Sequence, residues 1–195
     1  MWTLTRPNAA RVQTHRDAQR PLAFSYPSVG ITRDDGPAPP GYDHDRNREA
    51  LGRGERVFHA AREAIRTWAM FPAPLATIEP KGIPIAEGEV AGVVMRVFGL
   101  WFLSAARIVY VIDEPRRFGF AYGTLPGHVE AGEERFLIEW MPDDTVVYTI
   151  VAFSQPRYWL ARLGRPIARR LQRKFVRLSK LQMRELCSDG HAVVS

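Results

Sequence analysis

Three segments decide the fold: Phe118-Gly-Phe-Ala-Tyr-Gly-Thr124, Glu133-Glu-Arg-Phe-Leu-Ile-Glu-Trp140 and Thr145-Val-Val-Tyr-Thr-Ile-Val-Ala-Phe153. In each, large apolar side chains recur at every second residue, the period at which a strand returns to the same face. Phe118, Phe120 and Tyr122 share one face, as do Phe136, Ile138 and Trp140, and then Val146, Tyr148 and Ile150. Pro126-Gly127 and Pro142-Asp143-Asp144 separate the segments. Connections this short suit antiparallel neighbours, because a parallel pair needs a crossover of a dozen or more residues. Working upstream, Thr77–Ile78, Glu89–Phe98 and Arg107–Asp113 read as further strands, divided by Gly82, Pro84 and Glu114-Pro115. The pattern predicts an antiparallel meander.

Downstream of Pro156 the period becomes helical. Leu160, Leu163, Ile167, Leu171, Phe175, Leu178 and Leu181 form one apolar stripe, spaced three or four apart. Residues 157–186 would extend about 45 Å as one helix, with a kink or division expected at Gly164 and Pro166. A second helix is expected from Val57, Ala61, Ile65 and Trp68, after Gly52 and Gly54 and before Pro72 and Pro74. Helix, strands, then a long amphipathic helix is the order of an α+β domain. Leu163, Ile167, Leu171, Phe175 and Leu178 are expected to lie buried on the concave face of a twisted antiparallel sheet. Residues 1–50 are rich in Pro, Gly, Asp and Arg without a sustained period. The expected organisation is a flexible N-terminal tail over 1–21, a single domain over 22–186 and a C-terminal tail over 187–195.

The chain has 195 residues, enough for a core that needs no staple. Its one cysteine, Cys187, rules out an internal disulfide and a cysteine-only zinc site. No apolar run in the first twenty residues reads as a secretory signal, and Val97 to Ala106 is too short to span a bilayer, so a soluble cytoplasmic protein is expected. The net charge of +6 is unevenly distributed. Residues 157–184 hold ten basic side chains and no acid, whereas residues 1–156 hold 17 basic and 19 acidic groups. Such a face either attracts nucleic acid or an anionic membrane, through residues such as Arg169, Arg173 and Arg177, or is the solvated side of an amphipathic helix. The segment has no accompanying platform of exposed aromatics of the kind single-strand binders use, which favours the solvated face.

The densest unusual stretch runs from Tyr122 to Glu134, with Gly123, Gly127, His128, Glu130, Gly132 and Glu133 between two strands. A histidine close to carboxylates suits general acid–base work, since its pKa lies near neutrality. The same residues suit a structured hairpin, with at least one of Gly123, Gly127 and Gly132 expected in a conformation closed to other residues. The five histidines, His15, His44, His59, His128 and His191, show no pair at ligand spacing, and no metal or cofactor is expected. Gly99-Leu-Trp-Phe-Leu103 is unusually rich in large apolar groups and reads as core, as the lip of a lipophilic pocket, or as a membrane or protein contact.

Several motifs then occur in order: Tyr26-Pro-x-Val-Gly30, Pro40-Gly-Tyr-x-His44, Leu51-Gly-x-Gly54 and Val109-Tyr-Val-x-Asp-Glu-Pro115. They continue through Tyr122-Gly-Thr-Leu-Pro-Gly-His-x-Glu-x-Gly-Glu-Glu134 and Ala152-Phe-Ser-x-Pro156, and end with Leu160-Ala-Arg-Leu-Gly164 and Leu171-Gln-Arg173. Over residues 22–183 the chain resembles an uncharacterised domain-of-unknown-function family of bacteria and plants, also classed as an uncharacterised protein family. The resemblance implies relatives among helix-grip proteins of the START, polyketide-cyclase and pollen-allergen type, hence a helix-grip-like fold with a hydrophobic cavity. It carries over no activity and no catalytic residue.

The function expected is binding of a small hydrophobic or amphipathic molecule between sheet and helix. Trp101, Tyr110 and Tyr122 are expected in the pocket wall, and His128, Glu133 and Glu134 at its polar end. Two alternatives stand beside it. One is a cyclase- or hydrolase-like enzyme using His128 with a nearby carboxylate. The other is an interaction module whose basic helix contacts nucleic acid or membrane.

Overall fold

The computed structural model describes residues 1–73, 75–128, 130–157 and 165–188. The alternating segments form strands, all antiparallel: β1 Trp2–Thr3, β2 Asp43–Arg53, β3 Ala76–Glu79, β4 Val90–Val97, β5 Leu100–Glu114, β6 Arg117–Thr124, β7 Glu130–Trp140 and β8 Thr145–Pro156. They make one sheet in the order β2-β8-β7-β6-β5-β4-β3, with β1 paired to the start of β5. Strands β3 to β8 are the expected meander. Among the described residues three α-helices accompany them, α1 Ala9–Gln19, α2 Glu55–Arg66 and α3 Arg165–Ser188, with a short 3-10 turn at Ile31–Asp34. Helix α2 joins the two edge strands β2 and β3, and α3 lies against α2 and β2.

The concave face carries the main core. Phe118, Phe120, Phe136, Ile138, Val146, Tyr148 and Ile150 pack there with Phe58, Ala61 and Ile65 of α2 and Phe175 and Met183 of α3. Rings interlock across the layers: Phe71 lies 5.3 Å from Phe175, and Trp68 lies 4.7 Å from Phe120, centroid to centroid. Each buried phenylalanine contributes roughly 1.5–3 kcal/mol by leaving water. The aromatic groups fill much of the concavity that the helix-grip expectation assigned to a ligand.

The face of α3 differs from the expected stripe. Phe175, Ser179, Met183 and Cys187 are buried, while Leu171 and Leu178 are half-buried and Ile167 is 50% exposed. Leu163 lies outside the described residues. The buried line includes a serine because the Tyr148 hydroxyl meets Ser179 Oγ at 3.0 Å, a polar contact that an apolar pattern cannot reveal.

The N-terminal residues also depart from the flexible-tail expectation. Asn8 Oδ1 caps α1 by accepting from the Arg11 amide at 2.9 Å. Helix α1 rests on the convex face of β4 and β5, where Val12 packs with Val94 and Leu103. Arg16 is buried and donates from Nε to the Val90 carbonyl at 2.7 Å. One valine and one arginine anchor this helix, so its sequence shows no amphipathic stripe. At the other end, Cys187 and Ser188 complete α3, and residues 189–195 lie outside the described residues.

Candidate functional site

Of the six side chains expected around one pocket, five divide between the two faces of the sheet and the sixth, His128, lies in a turn. A bulge in β5 separates two of them: Ile108 opposes Tyr122 and Tyr110 opposes Ala121, so Val109 is the extra residue. Simple alternation would place Tyr110 with Ile108 on the concave side. The bulge moves it to the convex face, beside Ile112, Ala121 and Leu137. Trp101 also lies on the convex side, against Val12, Val94 and Leu103, with the Arg6 and Arg96 guanidinium groups 5.6 and 5.5 Å from its ring.

Glu133 belongs to this convex side and is 2% exposed. Its carboxylate accepts from the Tyr26 hydroxyl and the Gly30 amide, both at 2.7 Å, from the Thr32 amide at 3.1 Å, and from the Thr32 hydroxyl. Arg135, two residues along the strand, donates to the Thr32 carbonyl at 2.6 Å and to Asp35 Oδ1 at 2.6 Å. Burial and the neighbouring Glu133 charge push the Tyr26 hydroxyl well above its usual range. Burial also raises Tyr110, to about 12, while the Thr32 hydroxyl hydrogen bond opposes that rise. With every donor supplied by the segment before β2, Glu133 is a clasp for that segment.

Glu134, one residue further, faces the concave side. Tyr122 donates to its Oε2 at 2.5 Å, and both residues are half-buried beside Phe71 and Phe136. Burial raises the Glu134 carboxyl to about 7; the Tyr122 hydrogen bond opposes this, while the charges of Glu130 and Asp45 add to it. Among the described residues no cation balances it. Burial also raises Glu130, against a hydrogen bond from Gln172 and the charge of Arg169. Gln172 Nε2 reaches both Glu130 oxygens, at 3.1 and 2.9 Å, and Ser154 Oγ at 3.0 Å. Glu130 belongs to the dense 122–134 stretch but not to the residues expected around the pocket, and Gln172 is not among the expected site residues. Gln172 sits among arginines on α3, and nothing in its spacing distinguishes it.

His128 lies in the β6–β7 turn, where Nδ1 accepts from the Glu130 amide at 3.1 Å. Burial lowers its pKa to about 4, so the ring is neutral near pH 7. This geometry matches the hairpin reading and, among the described residues, gives the acid–base reading no carboxylate partner for the ring. The glycines of the segment are not in the expected left-handed region; that conformation occurs elsewhere, as at Gly30 and Gly99. They are required by close approach. A Cβ on Gly132 would lie 1.9 Å from the Phe153 carbonyl oxygen, and one on Gly123 would lie 2.1 Å from the Tyr26 hydroxyl. Gly127 sits against α1, its amide donating to Gln19 Oε1 at 2.7 Å.

The basic face of α3 is partly neutralised from the sheet. Arg169 forms a double hydrogen bond with Asp45, and Lys180 and Arg184 reach Glu49 at 2.9 and 3.2 Å. Arg173 and Arg177 have no ion-pair partner among the described residues. They line a groove of about 450 Å³ between β2 and α3, with Asn47 and Val176 in its walls and Gln172 at the side toward Glu130. Cys187 is buried, and burial pushes its thiol up to about 11, which leaves it poorly suited to nucleophilic chemistry. Among the described residues, no helix is long and apolar enough to cross a membrane.

The raised Glu134 carboxyl has a consequence for stability. Its folded pKa lies above the usual 4.5, so from about pH 4.5 to 7 the unfolded chain releases this proton first. The native state then binds more protons than the unfolded one, and stability falls as pH rises through that window. Glu134→Gln is expected to flatten this part of the profile, measured as urea midpoints at several pH values. An unchanged profile would contradict the assignment.

Similar proteins show the same family and fold. A UPF0548 protein of Dictyostelium discoideum is 35% identical over 90% of this chain and 91% of its own. Another UPF0548 protein, from Deinococcus radiodurans, is 33% identical over 91% of this chain and 94% of its own. Among solved structures, the di-domain ARO/CYC StfQ from the steffimycin biosynthetic pathway superposes with a TM-score of 0.52 at 10% identity. The match covers 78% of this chain and 53% of that one, about half of the di-domain protein. At that identity the likeness is one of fold: a curved antiparallel sheet gripping a C-terminal helix. The model of a domain of unknown function, DUF1990, matches residues 25–180, spanning the Glu133 clasp, the Tyr122–Glu134 pair and most of α3, and the chain belongs to that family.

Proposed function

We propose that the protein is a cytoplasmic binder of a small hydrophobic or amphipathic molecule, held where the concave sheet face meets α3. The observation that carries this reading is the Tyr122–Glu134 pair. It is a carboxyl with no balancing cation among the described residues, half-buried beside aromatic rings. Such a pair costs folding energy and contributes nothing to the core that an apolar pair would not. Near neutral pH the carboxyl exists in both states and can donate to, or accept from, a ligand hydroxyl or carbonyl. The rings of Phe71, Phe136 and Phe175 pack on one another, so the apolar body would rest on the edge of that cluster beside Tyr122, and the neighbouring groove with Arg173 and Arg177 would accommodate a protruding polar group.

The test is a titration with 2-naphthol and its methyl ether, followed by protein NMR shifts. The naphthol should perturb resonances of Tyr122, Phe136 and Phe175, and binding should weaken about tenfold in Tyr122→Phe or Glu134→Gln, the value of one hydrogen bond. Equal binding of both compounds by wild type and variants, or shifts confined to other surfaces, would overturn the proposal.

A further inference from the structure

The Gly99-Leu-Trp-Phe-Leu103 run, singled out by its sequence, has no part in the ligand cleft. It begins at the β4–β5 hairpin, whose two-residue turn consists of Phe98 and Gly99, both with positive φ, at 50° and 81°. Turns of this kind favour Asn-Gly, and a bulky residue there is strained. Phe98 is nevertheless 83% exposed and enters none of the core clusters. Strand β1 runs alongside, with Trp2 opposite Phe102, and it adds Trp2 and Leu4, 63% and 76% exposed. The fold therefore carries a strained, solvated aromatic at a tip flanked by two further exposed apolar groups.

Three arginines lie on the convex side behind this tip. Arg6 and Arg96 approach the Trp101 ring from the convex face, and Arg11 of α1 lies against Met1 Sδ at 3.4 Å. Arg6 also pairs with Glu79, whereas Arg96 and Arg11 have no carboxylate partner among the described residues. Aromatic and aliphatic groups at a protruding tip with arginines just behind them suit a bilayer interface, where rings enter the acyl boundary and guanidinium groups meet phosphates. Protein interfaces of standard size instead use broad surfaces with charge depleted at the centre. We propose that the β4–β5 tip, together with β1, is a docking surface for an anionic lipid bilayer, independent of the ligand cleft and of the basic face of α3.

The test is flotation of the whole protein with vesicles of phosphatidylcholine alone and of phosphatidylcholine mixed with phosphatidylserine. The decisive variant is Phe98→Asn, because asparagine tolerates positive φ and leaves the turn intact. Wild type should float with the mixed vesicles and far less with phosphatidylcholine alone. Phe98→Asn should bind about tenfold more weakly, the loss expected for one buried phenylalanine side chain, and Arg96→Glu should bind more weakly in the same assay. Brominated lipids should quench tryptophan emission of the wild type. Failure of the wild type to float, or undiminished binding by Phe98→Asn, would overturn the proposal. A concentration-dependent self-association that Phe98→Asn abolishes, with no vesicle binding, would overturn it in favour of a contact between copies.

Discussion

Glu133→Ala is expected to lower the urea midpoint sharply, with a loss of roughly 3–5 kcal/mol, the range for removing one partner from a buried charged network. The carboxylate is the common acceptor for the Tyr26 hydroxyl, the Gly30 and Thr32 amides and the Thr32 hydroxyl. Alanine leaves these donors facing one another in a site that water barely reaches. An unsatisfied buried donor costs about 1–3 kcal/mol, so partial relaxation of the segment still leaves a large penalty. The segment before β2 should loosen as well, read as faster proteolysis near Gly30. Tyr26→Phe removes one donor and keeps the acceptor paired, so it should cost about 1 kcal/mol. A midpoint for Glu133→Ala within error of wild type would show that the clasp does not hold the segment. The neighbouring Glu134 provides the contrast. One strand position secures the fold on the convex face, and the next places a carboxyl, with no cation partner among the described residues, on the concave side.

Much of this architecture is legible from period alone. Strands β6, β7 and β8 alternate cleanly because one face is buried by large apolar groups, and α2 shows its buried face through Val57, Ala61 and Ile65. The candidate site is less legible because its arrangement depends on a bulge. A single extra residue, Val109, moves Tyr110 to the opposite face from Tyr122. The sequence contains no unusual residue at that point, since valine is also an ordinary strand residue. Strand β2 is hidden for another reason. Asp43 to Glu49 are polar on both faces, and the strand is held at a sheet edge by its ladder to β8 and by charged contacts to α3. Helix α1 is hidden because Val12 and Arg16 do its anchoring. On α3, the burial of Ser179 in place of a leucine turns the helix away from its most apolar line. Pattern finds elements whose packing is apolar; it misses those positioned by polar contacts and local irregularities.

The glycines of the central strands support a second large effect, with two causes that mutation can separate. Gly119→Ala would place a Cβ 2.2 Å from the Phe136 carbonyl oxygen and 2.8 Å from Leu137 Cα, so strand β7 itself must move. A clash with backbone cannot be relieved by a rotamer change, and a loss of roughly 3 kcal/mol is expected, at the upper end of overpacking. Gly123→Ala meets a side chain instead: its Cβ would lie 2.1 Å from the Tyr26 hydroxyl. That ring is free to yield only by leaving Glu133, so the cost is about 2–3 kcal/mol, combining overpacking with a lost buried hydrogen bond. The two variants should diverge in a Tyr26→Ala background. Removing the ring opens the space, and Gly123→Ala should then cost little, a coupling of about 1–3 kcal/mol. Gly119 lies four strand residues away, about 13 Å at ~3.3 Å per residue, so its penalty should add to that of Tyr26→Ala within about 0.5 kcal/mol. Equal additivity for both glycines would show that Gly123 is not reserved for the tyrosine of the clasp.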